Sequence, residues 1–209
     1  MTEHLPSDER FPFIPATEST AELVVRKSRF LAFLAPCRSK EEAQSYLNVL
    51  KQTYWDAGHH CYAYRLGPDG MDYRMSDDGE PSGTAGKPLL FCLQRARLTN
   101  CILVVVRYFG GVKLGVGPLA RAYADAAQVV IDQAELLQLV PMTHVDMYCS
   151  YDDMSMLIEG LQQYGCTYEV SYGDAVTFHV VMPAHEEQTI TSFVVDLTNG
   201  RAGFSKVST

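Results

Sequence analysis

Three stretches of this chain place chemically capable residues close together. The first is His59-His60-Cys61-Tyr62-Ala63-Tyr64-Arg65. Cysteine and histidine can act as nucleophile and base, or as zinc ligands, but either role requires them to converge in space. The run reads as a strand, where side chains alternate, so His59 and Cys61 face one way and His60 and Tyr62 the other. The three therefore do not meet on one metal. The second stretch runs from Ser76 to Lys87 as Ser-Asp-Asp-Gly-Glu-Pro-Ser-Gly-Thr-Ala-Gly-Lys. Its Gly86-Lys87 end imitates a phosphate loop. However, Pro81 stands where the first glycine belongs and Pro88 replaces the hydroxyl that would hold Mg²⁺. Asp77, Asp78 and Glu80 offer oxygen ligands to a hard cation, without EF-hand spacing. A solvated turn paired to nearby arginines is the simpler alternative.

The third stretch, Arg107 to Arg121, contains Gly110, Gly111, Gly115 and Gly117. Gly115-Val116-Gly117-Pro118-Leu119-Ala120 fits G-x-G-x-x-A between a strand and a helix. A dinucleotide fold would place those glycines directly after the strand and an acidic residue about 20 positions further on, and neither holds here. What survives is an anion site. Four glycines let the backbone approach a partner, a helix start offers free N–H groups, and Arg107 and Lys113 add positive charge. Arg121, in the first turn, opposes the helix dipole, which points to a partner or an internal carboxylate. A tight strand-to-helix turn with Arg121 paired to Asp125 explains the same residues without a ligand.

The elements that must position these groups follow from periodicity. Ala21–Arg26 and Arg29–Pro36 read as strands joined through Lys27-Ser28. Ser39 and Glu42 form a capping box for a helix over residues 40–53, with Ala43, Tyr46, Leu47 and Leu50 on one face. His60–Leu66 is a strand, residues 67–86 a loop with room for a short strand, and Pro88–Arg97 a short helix. Cys101–Arg107, nearly all apolar, is predicted to lie inside a sheet covered on both faces. A helix follows with Pro118 at its first position and Leu119, Ala122, Tyr123, Ala126 and Val130 as its buried stripe. Beyond residue 137 the pattern reads strand (Gln138–Cys149), helix (Asp152–Tyr164), strand (Cys166–Ser171), strand (Ala175–Met182), helix (Ala184–Leu197) and strand (Gly200–Val207). That βαββαβ order is the ferredoxin-like arrangement.

Length and charge agree with two domains. The 209 residues, 47% hydrophobic and 20% charged, suit two small globular domains. Net charge is −3 over residues 1–19, +3 over 20–134 and −8 over 135–209. A phosphate-bearing partner therefore favours the middle segment, because the acidic end repels it within about a Debye length. We expect a loosely docked leader at 1–19, a first domain at 20–134 and a second at 135–209. The start lacks a basic and an apolar region, so no secretory signal is expected. No apolar run is long enough to span a membrane. The protein is expected to be cytoplasmic, and its six cysteines to be buried reduced thiols. No catalytic residue, cofactor or metal is assigned.

The three stretches, Ala57 to Arg65, Ser76 to Pro88 and Arg107 to Gly115, resemble the signature segments of the Impact/YigZ family. The resemblance is close over residues 20–134 and extends to the remainder only in element order and length. It implies a bacterial-type member without the RWD domain of the eukaryotic relatives. It also implies an α+β two-domain fold: a ribosomal protein S5 domain 2-like domain, then a ferredoxin-like domain similar to the last domain of elongation factor G. Eukaryotic relatives restrain activation of a kinase of initiation factor 2 alpha, so the resemblance points to translation. Gly58, Val106 and Pro118 depart from the family pattern, the first two by removing hydroxyls.

Two functions are carried forward. In the first, the protein is a translation-linked binding module that contacts RNA, the ribosome or a translation-associated protein through Lys87, Arg107, Lys113, Arg121 and the glycines 110, 111, 115 and 117. In the second, it is a metal-dependent enzyme acting on a phosphorylated small molecule, using the glycine loop for phosphate and Asp77, Asp78 or Glu80 for a metal; with His59 and His60 these acids form a candidate functional cluster. The second reading rests on fold analogy.

Overall fold

A computed structural model describes residues 11–206. Their contacts divide the chain between Leu139 and Val140 into two units. The first ten residues of the expected leader, and Val207 of the expected last strand, lie outside the described residues.

The first unit is built on a five-stranded antiparallel sheet. Its strands are β2 (Ser19–Val25), β3 (Ser28–Pro36), β4 (His59–Leu66), β5 (Asp72–Ser76) and β6 (Cys101–Tyr108), in the order β2-β3-β6-β4-β5. β6 is central and buried from Cys101 to Arg107, because both faces of the sheet are covered. One face packs on α2 (Gly86–Arg95) and α3 (Val116–Gln133), whose Leu89, Leu93, Ala122, Tyr123, Ala126 and Val130 meet Leu103 and Val105. The other packs on α1 (Lys40–Thr53), where Ala43, Leu47 and Leu50 meet Ile102, Val104 and Val106. In α1 the Glu42 N–H donates to Ser39 Oγ at 3.2 Å, and Glu42 Oε2 accepts from the Arg38 N–H at 2.7 Å.

Several boundaries differ from expectation. The leader is not loose throughout: Phe13–Pro15 forms β1, which pairs antiparallel with β7 (Leu136–Gln138). Residues 136–138, expected in the second domain, therefore belong to the first unit. The β2–β3 turn falls on Arg26-Lys27, both at positive φ (45° and 68°). Ser28 is drawn into β3 and buried because its hydroxyl is bonded internally. α3 starts at Val116 after Gly115, so Pro118 is third in the helix rather than first. Every first-turn N–H lacks an intrahelical partner, so proline costs no hydrogen bond there. α2 starts at Gly86, two residues before Pro88, for a reason given below.

The second unit contains β8 (Met142–Cys149), α4 (Met154–Gln163), β9 (Thr167–Tyr172), β10 (Val176–Pro183), α5 (Glu187–Leu197) and β11 (Gly203–Lys206). All its pairs are antiparallel, in the order β11-β8-β10-β9. Val145, Met147 and Cys149 of β8 and Val176, Phe178, Val180 and Met182 of β10 alternate inward to meet Leu157, Leu161, Ile190 and Val194 of the helices. The opposite face is polar. The protein is thus a two-unit α+β chain.

Candidate binding site

The chemistry-bearing residues of the first unit meet where the Ser76–Ala85 loop folds over the end of β4, β6 and α3. Asp77 shapes that loop. Its Oδ1 accepts from the N–H groups of Ala85 (2.9 Å) and Gly86 (2.8 Å), and its Oδ2 from that of Gly83 (2.8 Å). Asp77 thereby caps α2 from nine residues upstream, and a carboxylate at a helix start also favours the dipole. Gly86 has little room for a side chain, since an added Cβ would lie 2.8 Å from the Ser76 backbone nitrogen. This remote cap is why α2 begins at Gly86. Burial raises the Asp77 pKa, but the three backbone donors outweigh it and the net shift is downward.

Asp78 is also engaged internally. Its Oδ2 accepts from the His60 N–H at 2.7 Å and its Oδ1 pairs with Lys51 Nζ at 3.1 Å. His60 points to the α1 side of the sheet, with Nε2 3.1 Å from the Tyr54 carbonyl oxygen. Burial lowers its pKa, against the opposing pull of Asp78.

Glu80 joins the other two stretches. Its Oε1 accepts from Arg107 Nη1 at 2.6 Å and from the Tyr123 hydroxyl at 2.8 Å, with His59 Nε2 3.8 Å away. The side chains of Glu80 and Arg107 are only 4% and 6% exposed, so the pair is shielded from water. Arg107 Nη2 donates to Ser28 Oγ at 3.3 Å, which also accepts from the Gly110 N–H at 3.1 Å. The guanidinium lies 5.4 Å and 5.7 Å from the ring centroids of Phe30 and Phe109. Its Nε is enclosed and has no partner among the described residues. Cys61 Sγ is 3.4 Å from the Tyr123 hydroxyl and 2.9 Å from the Asp77 carbonyl oxygen. Burial pushes the Cys61 thiol up to about 12 and raises the Tyr123 phenol, so both stay protonated at neutral pH. A thiol in that state is no nucleophile.

A pocket of about 330 Å³ opens beside this network, lined by Glu80, Pro81, Arg107, Phe109, Lys113 and the start of α3. Asp77 and Asp78 do not line it. Lys113, Gly111, Gly115 and Gly117 are exposed. Lys87, in the first turn of α2, and Arg121 are exposed but do not line it. Arg121 makes no pair with Asp125 among the described residues. Gly110 is set apart from the other glycines: an added Cβ there would overlap the Lys27 carbonyl and the Ser28 nitrogen. The structure thus brings together His59, Glu80, Arg107 and Gly110, joins Asp78 to His59 only through its backbone carbonyl while its carboxylate goes with His60 and Lys51 toward the α1 side, and leaves Lys87 and Arg121 outside the pocket.

Sequence reasoning passed over Ser28, Pro81, Phe109 and Tyr123. Tyr123 was legible only as core, since nothing local signals a hydroxyl bonded 43 residues away. No group of three or more metal-ligating side chains forms among the described residues. No described helix is long and apolar enough to cross a membrane. In the second unit Ser171 Oγ, His179 Nε2 (3.2 Å), His179 Nδ1 and Asp146 Oδ1 (2.7 Å) line up across β9, β10 and β8. All three residues are partly or fully exposed. They form a cross-strand side-chain ladder.

A two-unit α+β chain with a buried acid–base pair behind a glycine-rich helix start is the class these observations define. The Impact N-terminal domain profile matches residues 26–131, and that of DUF1949, a domain of unknown function, matches residues 148–201. The chain is 33% identical over 182 residues to the IMPACT family member YvyE of Bacillus subtilis, covering 87% of this chain and 84% of that protein. It is 33% identical over 190 residues to the IMPACT family member YigZ of Escherichia coli, covering 90% and 93%. The Protein IMPACT homolog of Dictyostelium discoideum is 37% identical over 107 residues, covering 49% of this chain and 30% of that protein. A solved structure described as that of a hypothetical protein superposes with a TM-score of 0.62 at 31% identity, covering 95% of this chain and 98% of the other. The chain belongs to the IMPACT family.

Proposed function

We propose that this protein is a cytoplasmic, translation-linked binding module whose first unit contacts RNA on the ribosome through the start of α3. The carrying observation is the start of α3, where Lys113, Gly115 and Gly117 stand exposed beside helix N–H groups that lack an intrahelical partner, and Gly117 shows how open it is. Gly117 is exposed, its φ is not in the left-handed region, and a Cβ added to it meets nothing within 4 Å beyond its chain neighbours. Glycine inside a helix costs about 1 kcal/mol relative to alanine. Part of the reason is internal, because a Cβ on the residue before Pro118 would crowd the proline ring in the helical conformation; the bare backbone also leaves a partner free to approach the helix start. The N–H groups of Val116 and Gly117 precede Pro118 in the first turn, and Lys113 stands just before them. Such a helix start favours phosphate oxygens.

We read the first unit as ribosomal protein S5 domain 2-like. The antiparallel β11-β8-β10-β9 order supports reading the second as ferredoxin-like. Arg107 enters this proposal as the group that holds Glu80 and the β3 end in place rather than as a surface phosphate ligand. The phosphometabolite enzyme loses support because Asp77 and Asp78 direct their oxygens to backbone N–H groups and to Lys51, away from the pocket.

Co-sedimentation with ribosomal particles across a salt series tests the proposal. Binding is expected to weaken steeply as salt rises, because phosphate contacts release counterions. It is also expected to be lost in the Lys113→Ala/Arg121→Ala double variant. No association at low salt would overturn the reading.

A further inference from the structure

We infer that the pocket between Glu80-Pro81 and the start of α3 receives one unpaired nucleotide of an RNA chain. This deepens the RNA reading above and rests on it. Glu80 and Arg107 both line the pocket and both are more than nine-tenths buried. Every contact of the Glu80 carboxylate falls on Oε1, and Oε2 has no hydrogen bond among the described residues. Arg107 Nε is likewise unpartnered. Buried polar groups are normally satisfied, so the enclosed Arg107 Nε, on a pocket that also offers the free Glu80 Oε2 as an acceptor, marks a place where a partner belongs.

The lining determines what that partner is. The inner end carries the charge-compensated Glu80–Arg107 pair, whose Oε2 is free to accept, so it welcomes a neutral edge with an N–H donor more than it does a phosphate or carboxylate. The walls are apolar, formed by Pro81, Phe109, Leu114, Val116 and Leu119. Phe109 is 56% exposed, far more than an aromatic ring needs to be if it served only the core. The mouth carries Lys113 and the free N–H groups of α3. A ligand that fits has a donor edge, a flat apolar body and an anion at its other end. A nucleotide has all three: its base offers N–H groups, stacks on an aromatic ring and is joined through the sugar to phosphate. The volume, about 330 Å³, is at the low end for small-molecule pockets and suits a single nucleotide, so a duplex must release a base before entering.

The test is fluorescence anisotropy with a labelled mixed-sequence RNA in three forms of equal length: single-stranded, duplex, and single-stranded with abasic residues. Free nucleoside monophosphates serve as competitors. The wild type is expected to prefer the single strand over the other two by about tenfold or more, the worth of one stacked base. Phe109→Ala is expected to erase that preference while leaving the salt slope intact. Lys113→Ala is expected to weaken all three forms and reduce the slope by about one phosphate contact. Glu80→Gln, with circular dichroism as a folding check, is expected to shift which base competes best. Competition by monophosphates would extend the site to free nucleotides, and its absence would assign it to nucleotides within a chain. Both results keep the base in the pocket. Equal, salt-sensitive binding of all three forms, unaffected by Phe109→Ala, would overturn the nucleotide pocket and leave RNA contact standing. Retention on ribosomal particles without affinity for any of the RNAs would overturn it in favour of a protein partner. Absence of both would overturn it together with the reading it rests on.

Discussion

The two units treat their polar side chains in opposite ways. In the first, Glu80, Arg107 and Tyr123 are withdrawn from water and bonded to one another at the edge of a pocket. In the second, Asp146, His179 and Ser171 are bonded in a row but remain on the open face of the sheet. Hydrogen-bond lengths are similar in the two places, so distance alone does not rank them. Solvent does: a pair that water can replace contributes little, while removing one partner of a shielded pair strands the other. Burial, more than the presence of acids and histidines, distinguishes the candidate site from a surface ladder.

The sharpest break of this comparison is Glu80→Ala, which leaves the Arg107 guanidinium buried without its counter-charge. A loss of about 3–5 kcal/mol is expected, read by hydrogen exchange of the β4 and β6 amides so that unfolding of the other unit does not obscure it. Next is a pair of glycines. Gly110→Ala drives a methyl group into the Lys27–Ser28 backbone and is expected to cost about 1–3 kcal/mol. Gly117→Ala meets nothing beyond its chain neighbours, but its methyl group crowds the Pro118 ring and offsets the helix-propensity gain, so stability is expected to change by less than about 1 kcal/mol, measurable as the thermal midpoint, while RNA binding weakens. Unchanged RNA binding in Gly117→Ala would show that Gly117 is not kept for a partner.

His60 gives a pH test. Its folded pKa lies below the unfolded value because burial disfavours the imidazolium. The unfolded chain therefore binds the proton first as pH falls. Stability contributed by His60 is level above about pH 6.5, falls below it, and levels again beneath the folded pKa. Urea midpoints of wild type and His60→Gln between pH 7.5 and 5 are expected to differ in slope over that window. The smallest effect belongs to the second unit: Asp146→Asn, on its partly exposed ladder, is expected to change stability by less than about 1 kcal/mol. A larger loss there would mean that the open sheet face is covered in the working protein.

Elements fixed by local pattern were legible and those fixed by distant partners were not. The α1 boundaries follow from Ser39 and the apolar spacing, and the burial of β6 follows from its composition. β1 and β7 are three residues each and exist through each other, 121 or more positions apart, so no window along the chain reveals them. α2 was read as starting at its proline because its cap, Asp77, is too far upstream to be recognised as one. In the site, the glycines and Lys113 were visible because a backbone motif announces itself. The coupling of Glu80 to Arg107 and Tyr123 was not, since it depends on which strand neighbours which.

The Asp77 clamp has a further consequence for how a partner is met. A loop tied at Gly83, Ala85 and Gly86 holds Glu80 and Pro81 at the pocket before anything arrives. Little chain entropy then remains to be lost in the encounter. Association should proceed as a single collision-controlled phase, with no slow rearrangement following it.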